Sequence, residues 1–346
     1  MNEFIKKMTE KAKENPKRVA FPEAGNVDIL RTAEQVIATG IGFPVLMGKQ
    51  EEIEGLASEH QISTKGFDYF DYTEEENRLK LAEEYTAGHE DFSAKAVARK
   101  SKDPVRCALF LLKLHKVDCV AAGKEYSTGD VIFETMGIVG LQEGVESVSS
   151  LGIADIPGFD GPQGQMLGLA DCAITAQPDA KDLAGIAISS ADTVKNMLGW
   201  EPRVAMLSFS TCGSAEHESL EVVREAVKLV RQFRPDVKVD GEFQLDSAII
   251  PAVAAKKVTW ESEVAGKANV LIFPNLHAGN IGVKLIQIFG HANAYGPVLQ
   301  GFAQPVCDFS RSAPVDEMLG NVAMLVQRCT SDPRGGELIS AAVRIG

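Results

Sequence analysis

Along most of this chain, short apolar runs alternate with longer segments of helical period, and that alternation limits the fold more than any single residue does. Arg18–Val19–Ala20–Phe21 reads as a strand stopped by Pro22, Asp28 to Ala38 as a helix, and Pro44–Val45–Leu46–Met47 as the next strand. Residues 50–78 are polar and acidic and read as surface structure, followed by helical stretches at Leu79–Tyr85 and Pro104–His115. Val117 to Gly123 then reads as a buried strand ending in a glycine turn. A second set follows, with strands at Cys172–Thr175, Val204–Phe209, Val237–Val239 and Asn269–Phe273 and helices at Lys181–Leu198 and Glu218–Phe233. In the last helix Val222, Val223, Ala226, Val227, Val230 and Phe233 fall three and four apart, and Pro235 stops it. Strands that are apolar on both faces belong in parallel sheets covered by helices, so the pattern predicts an α/β fold. Pro157–Gly164 and Tyr295–Gly296–Pro297 are the candidate boundaries or loops.

At 346 residues the chain is too long for one comfortable core and suits two domains. Its net charge of −13 argues against nucleic acid, which wants a basic face, and equally against an anionic membrane. None of the six cysteines forms a CxxC pair, and there are only 6 histidines, so no zinc cluster is expected. Cys119 and Cys172 sit in apolar runs and read as buried thiols. The first residues carry no hydrophobic leader and no run of bilayer length follows, which predicts a cytoplasmic, reducing location.

Five segments combine residue types suited to chemistry. Gly123 to Asp130 follows a strand, and its backbone N–H groups with the Ser127 and Thr128 hydroxyls suit an anion at a helix start; an ordinary N-cap accounts for the same hydroxyls. Ser208 to Ala215 offers Ser210, Gly213 and Ser214 for a tight turn against a phosphate or thioester, or for a helix cap. Asp240 to Asp246 carries three carboxylates that suit a metal, an arginine partner or, favoured by spacing, a solvated turn. Phe273 to Gly282 places Asn280 where a strand gives way to a helix, with Lys284 adding positive charge just beyond. Finally, Gln300 to Arg311 ends in a hydroxyl beside a guanidinium, Ser310–Arg311, which can grip a small oxyanion. Pro314 marks a helix start after it, with Asp316–Glu317 in a turn where a dipole favours acids and a catalytic base would also sit.

Taken in order, these blocks resemble the phosphate acetyltransferase (phosphotransacetylase) family, in the short single-module form similar to the ethanolamine-utilisation type. The carriers are Phe209–Ala215, Asp240–Asp246, Val264–Val270 through Asn280–Ile281–Gly282, and Gly296–Gly301 leading into Asp308–Phe309–Ser310–Arg311. The resemblance implies a two-domain isocitrate/isopropylmalate dehydrogenase-like α/β architecture with parallel-rich sheets covered by helices. One domain would comprise residues 1–145 plus 297–346 and the other, the dimerisation domain, residues 146–296. It implies reversible transfer of an acetyl or short acyl group between coenzyme A and inorganic phosphate. No tightly bound cofactor and no metal are expected; acyl-CoA, phosphate and acetyl phosphate are the small-molecule partners, and a homodimer the usual assembly. A bacterial metabolic compartment is a further expected location.

Carried onto this chain, Ser310 and Arg311 bind the phosphoryl group with Ser127, Thr128 and Asn280, and Glu317 deprotonates the CoA thiol. Ser210, Gly213, Ser214, Lys284 and Arg106 are supporting or CoA-site residues. The sequence also departs from the pattern. Phe133 stands where an arginine is usual, a second arginine is missing from the Tyr85–Phe92 segment, and Ser312, Cys307 and Val283 replace glycine, asparagine and tyrosine. Losing a guanidinium from such a site costs about 1–3 kcal/mol of charged hydrogen bonding. Propionyl or butyryl preference, or a paralogue that binds CoA or phosphate without turnover, therefore stands beside the acetyl reading.

Overall fold

The computed structural model describes residues 3–88, 92–143 and 145–329. Residues 89–91 of the Tyr85–Phe92 segment, and residues 330–346 of the expected first domain, lie outside the described residues. Helix α1 (Glu3–Ala12) is followed by β1 (Lys17–Phe21), α2 (Val27–Thr39), β2 (Gly42–Met47), α3 (Gln50–Glu59) and β3 (Asp68–Phe70). Next come α4 (Glu75–Thr86), α5 (Ala94–Lys100), α6 (Pro104–Lys113), β4 (Cys119–Ala122) and α7 (Thr128–Ile138). The middle of the chain forms β5 (Ser149–Asp155), β6 (Met166–Ala170), α8 (Ala180–Leu198), β7 (Arg203–Leu207), α9 (Glu218–Phe233) and β8 (Lys238–Phe243). It continues through α10 (Leu245–Ile249), α11 (Pro251–Lys257), β9 (Val270–Ile272) and α12 (Leu276–Phe289). The chain then forms β10 (Asn293–Gln300), β11 (Val306–Asp308) and α13 (Val315–Arg328).

Two sheets organise these elements. The first has the order β11-β4-β1-β2-β3, and every pairing in it is parallel. It draws strands from both ends of the chain, so β11 lies against β4 with Asp308 beside Ala122. The second has the order β10-β5-β6-β9-β7-β8; β6, β9, β7 and β8 run parallel, and β10 and β5 add antiparallel pairs. Helix α8 is buried along nearly its whole length, capped by Asp179 in a reciprocal box with Asp182 and ended by Gly199 in the left-handed region. It packs on α9, on strands of the second sheet and on α13, while α13 also packs on α1 and α2. α8 and α13 thus join the layers above both sheets.

Several local expectations change. Cys172–Thr175 is not a strand: β6 ends at Ala170, and the buried Asp171 carboxylate accepts from the N–H groups of Ala173 (3.0 Å), Ile174 (3.2 Å) and Thr175 (2.7 Å). Those donors are thereby withdrawn from any ladder. Cys172 is half-buried, whereas Cys119 is fully buried in β4. Tyr295–Gly296–Pro297 is not a loop but lies inside β10, where the register with β5 shifts between Tyr295 and Val298. Phe233 leaves the core stripe of α9 and is exposed. Pro157–Gly164 connects the antiparallel pair β5–β6.

Candidate active site

The carboxyl ends of β4 and β11 form one edge of the first sheet, the position where open α/β sheets bind ligands. Gly123 leaves β4 at φ +104°, and a Cβ there would sit 2.1 Å from Asp308 Oδ1 and 2.7 Å from the Phe309 nitrogen. Only glycine permits that approach. Ser127 caps α7: its hydroxyl accepts from Asp130 N and donates to Asp130 Oδ2 at 2.6 Å. Thr128 Oγ1 lies 2.5 Å from Asp308 Oδ2, joining α7 to β11 across 180 residues. Phe309 is buried and its N–H bonds Ala122 O, which turns the chain outward. Ser310 and Arg311 follow, both exposed; Ser310 Oγ lies 3.1 Å from Ser312 Oγ. No hydrogen bond or ion pair holds Arg311 among the described residues, although its charge acts on Asp308. Glu317 lies in the first turn of α13 and faces a cavity of about 390 Å³ shared with Ile5, Tyr295, Pro314, Asn321 and Met324.

The loop 124–126 behaves differently from the expected anion cradle. Its N–H groups are occupied by the buried Glu23 carboxylate, at 3.1 Å from Lys124, 2.7 Å from Glu125 and 3.0 Å from Tyr126. The backbone donors therefore hold an anion supplied by the protein, and the Ser127 and Thr128 side chains project past them. Lys124 is a second residue that sequence reasoning missed. Its side chain is 8% exposed, donates to Ala313 O at 2.8 Å and pairs with Asp28 at 3.1 Å, tying the 309–314 loop to β4 and α2. A sequence signal existed: an acid directly after a strand-ending proline, Pro22–Glu23, and a lysine directly after a strand-ending glycine.

At the carboxyl end of β7 in the other sheet, Ser210 is fully buried and donates to Glu242 Oε1 at 2.9 Å, which also accepts from Gly213 N at 2.9 Å. Ser214 Oγ accepts from Thr211 N at 3.0 Å. Arg224 grips Glu242 through both oxygens, at 2.9 and 3.1 Å. Asp240 pairs with Arg231 at 2.8 Å and accepts from Trp260 at 3.0 Å. The acidic run is thus no solvated turn: most of it is β8, and Asp240 and Glu242 are buried because arginines of α9 reach them, while the half-exposed Asp246 pairs with Lys257 of α11 at 2.8 Å. Burial works to raise Glu242, but Arg224, the Gly213 N–H and Ser210 outweigh it and hold the carboxyl at about 2. A depressed folded-state carboxyl contributes stability above its unfolded range that is lost as pH falls. The urea midpoint should therefore drop between about pH 4.5 and about pH 2, and Glu242→Gln should flatten the curve there and cost ~2–3 kcal/mol at neutral pH. Unchanged midpoints and an unchanged acid limb in the variant would contradict this.

Asn280 and Lys284 lie one turn apart on α12, both exposed, with Asn280 Nδ2 3.3 Å from Cys172 O. Arg106 lies on α6 and pairs with Glu134 of α7 at 2.6 Å. Together with Arg99, Lys100 and Phe133 they line a cavity of about 320 Å³, and Phe133 is 73% exposed. The fold therefore brings Ser127, Thr128, Ser310 and Arg311 to one sheet edge with Glu317 on the next helix. Ser210, Gly213 and Ser214 sit at the end of the other sheet, and Asn280 with Lys284 on α12.

The sequence profile of the phosphate acetyl/butaryl transferase family matches residues 3–326. The phosphate acetyltransferase of Thermoanaerobacterium thermosaccharolyticum is 38% identical over 322 residues, covering 92% of this chain and 97% of that protein. Among solved structures, the EutD phosphotransacetylase from Staphylococcus aureus superposes with a TM-score of 0.83 at 30% identity, over 94% of this chain and 98% of its own. A Salmonella typhimurium protein assigned as a 4-hydroxythreonine-4-phosphate dehydrogenase, 10% identical with a TM-score of 0.54 over 91% of this chain and 100% of its own, shares the fold alone. The α/β architecture is therefore the dehydrogenase-like one. With the profile spanning nearly all described residues, and a long relative this similar, the chain belongs to the phosphate acetyl/butaryl transferase family of acyltransferases.

Proposed function

We propose that this protein transfers an acetyl group reversibly between coenzyme A and inorganic phosphate, by direct attack of the CoA thiolate on acyl phosphate. The observation that supports the reading is the β4–β11 pairing, which joins Thr128 to Asp308, three residues before an exposed Arg311 that makes no hydrogen bond or ion pair among the described residues. Its guanidinium can accept a phosphoryl group without first breaking an internal bond. In this reading Glu317 takes the thiol proton, and Ser310 and Arg311, supported by Ser127, Thr128 and Asn280, receive the negative charge that builds on the leaving phosphate. No covalent acyl-enzyme is needed. CoA, a polyanion, would use Lys284 and the Arg106 cavity for its phosphates and the Ser210–Ser214 turn as a wall. The domains would be 1–145 plus 297–346, and 146–296, with the reaction between them.

Phe133 favours a second reading. An exposed aromatic ring beside Arg106 gives an apolar surface where a cation is usual, which suits a longer acyl group. A panel of acetyl, propionyl and butyryl phosphates with CoA separates the two by relative kcat/KM. Saturable CoA binding with background rates for every acyl group would reduce the protein to a binding paralogue.

The assembly proposed is a homodimer through α12. Along this helix Ile281, Leu285, Ile288 (64%) and Phe289 (77%) are exposed at spacings of four, three and one, a stripe too apolar for a solvated face. Sedimentation of the wild type should give a dimer and of Ile288→Asp a monomer with an unchanged circular dichroism spectrum. A monomeric wild type would overturn this assembly.

A further inference from the structure

The carboxyl of Asp308 has no part in the chemistry just described. It ends β11 two residues before Ser310, with Oδ2 at 2.5 Å from Thr128 Oγ1. Its Oδ1 is buried and has no hydrogen-bond partner among the described residues. Glu23 faces it from the β1–α2 loop and Arg311 from the loop before α13. Lys124, in the β4–α7 loop, is directed instead to Ala313 O and Asp28, Asp130 of α7 is engaged by Ser127, and the Cys307 thiol beside it is pushed up to about 12 by burial. Glu317 of α13 is exposed in the neighbouring turn. Burial pushes the Asp308 carboxyl up to about 6; the Thr128 hydroxyl lowers it, Glu23 raises it and Arg311 lowers it.

A threonine hydroxyl has one proton. When Asp308 is ionised, that proton must point inward to the carboxylate, and only lone pairs face an arriving phosphoryl oxygen. When Asp308 is protonated, the carboxyl donates to Thr128 Oγ1 and the threonine proton is free to turn outward. A dianion bound nearby itself favours the protonated carboxyl, because like charges so close disfavour each other. We propose that Asp308 is a positioning residue for the phosphate site, taking one proton from solvent as a dianion seats and passing the hydrogen bond through Thr128 to the phosphoryl oxygen. The proton returns to solvent when the anion leaves, and no substrate bond is made or broken in the exchange. This rests on the phosphate site proposed above at Thr128, Ser310 and Arg311.

Sulfate is the probe, since it is a dianion with no proton to gain between about pH 5 and 9. Calorimetry on the full-length protein, in two buffers of different ionisation heat, reads affinity and proton uptake together. Wild-type affinity should weaken about tenfold from pH 5.5 to pH 7.5, with net proton uptake on binding. Asp308→Asn, which presents an amide donor at every pH, should bind with a flat pH profile and no uptake. Glu317→Gln should keep the wild-type slope. Thr128→Ser should keep it and Thr128→Val lose it, which decides the matter if Asp308→Asn does not fold. Sulfate binding indifferent to Arg311→Ala would overturn the phosphate site and this role with it. Binding that needs Arg311 but keeps the wild-type pH slope in Asp308→Asn and Thr128→Val would overturn the role of Asp308 alone.

Discussion

Replacing Arg311 with alanine will lower kcat/KM for acetyl-CoA formation from acetyl phosphate by about 10²- to 10³-fold, the usual cost of removing one donor from a developing oxyanion. The fold should survive intact, because the side chain is exposed and makes no hydrogen bond or ion pair among the described residues. Arg311→Lys should recover only part of the loss. An ammonium keeps the charge but not the planar fork that meets two phosphoryl oxygens at once. Steady-state rates with both variants, alongside circular dichroism, check this. A variant within about twofold of wild type would remove Arg311 from the site.

Gly123→Ala should be damaging in a different way, through stability and activity together. The new methyl would meet Asp308 Oδ1 at 2.1 Å, Phe309 N at 2.7 Å and Phe309 O at 2.8 Å, at a backbone φ of +104°. Two of those three atoms are backbone and cannot rotate aside, so β4 and β11 must separate at the end that carries Ser127, Thr128 and Ser310. The expected cost is ~2–4 kcal/mol, from overpacking plus a strained dihedral. The urea midpoint and kcat should fall together. A wild-type midpoint with wild-type turnover would mean that this approach of the two strands is not needed.

The fold was legible where burial leaves a plain mark. Strands covered on both faces, such as Val204–Leu207, are unbroken apolar runs, and helices such as α8 and α9 announce themselves by period and caps. Cys172–Thr175 misled because a short run of apolar residue types need not be a strand: it is at most half-buried, and the N–H groups of Ala173, Ile174 and Thr175 serve Asp171. The acidic run around Glu242 misled in the opposite sense. Residue type suggested water, and only the placement of α9 against β8 supplies Arg224 and Arg231. At the candidate site, hydroxyls and a guanidinium stand out in a sequence by what they are. Glu23 and Asp308 do not, since a carboxylate means little until its partners are known. Those partners come from strands and loops about a hundred or more residues away, which spacing cannot reveal.

In the proposed reaction, phosphate accepts the acyl group at the sheet edge formed by Thr128, Ser310 and Arg311. Its most direct test is phosphate-dependent release of free thiol from acetyl-CoA by the purified protein, followed over a range of phosphate concentrations with wild type, Ser310→Ala and Arg311→Ala. The prediction is a rate that saturates in phosphate for the wild type and falls steeply in both variants. A wild-type rate that is independent of phosphate, or one that both variants retain, would contradict it.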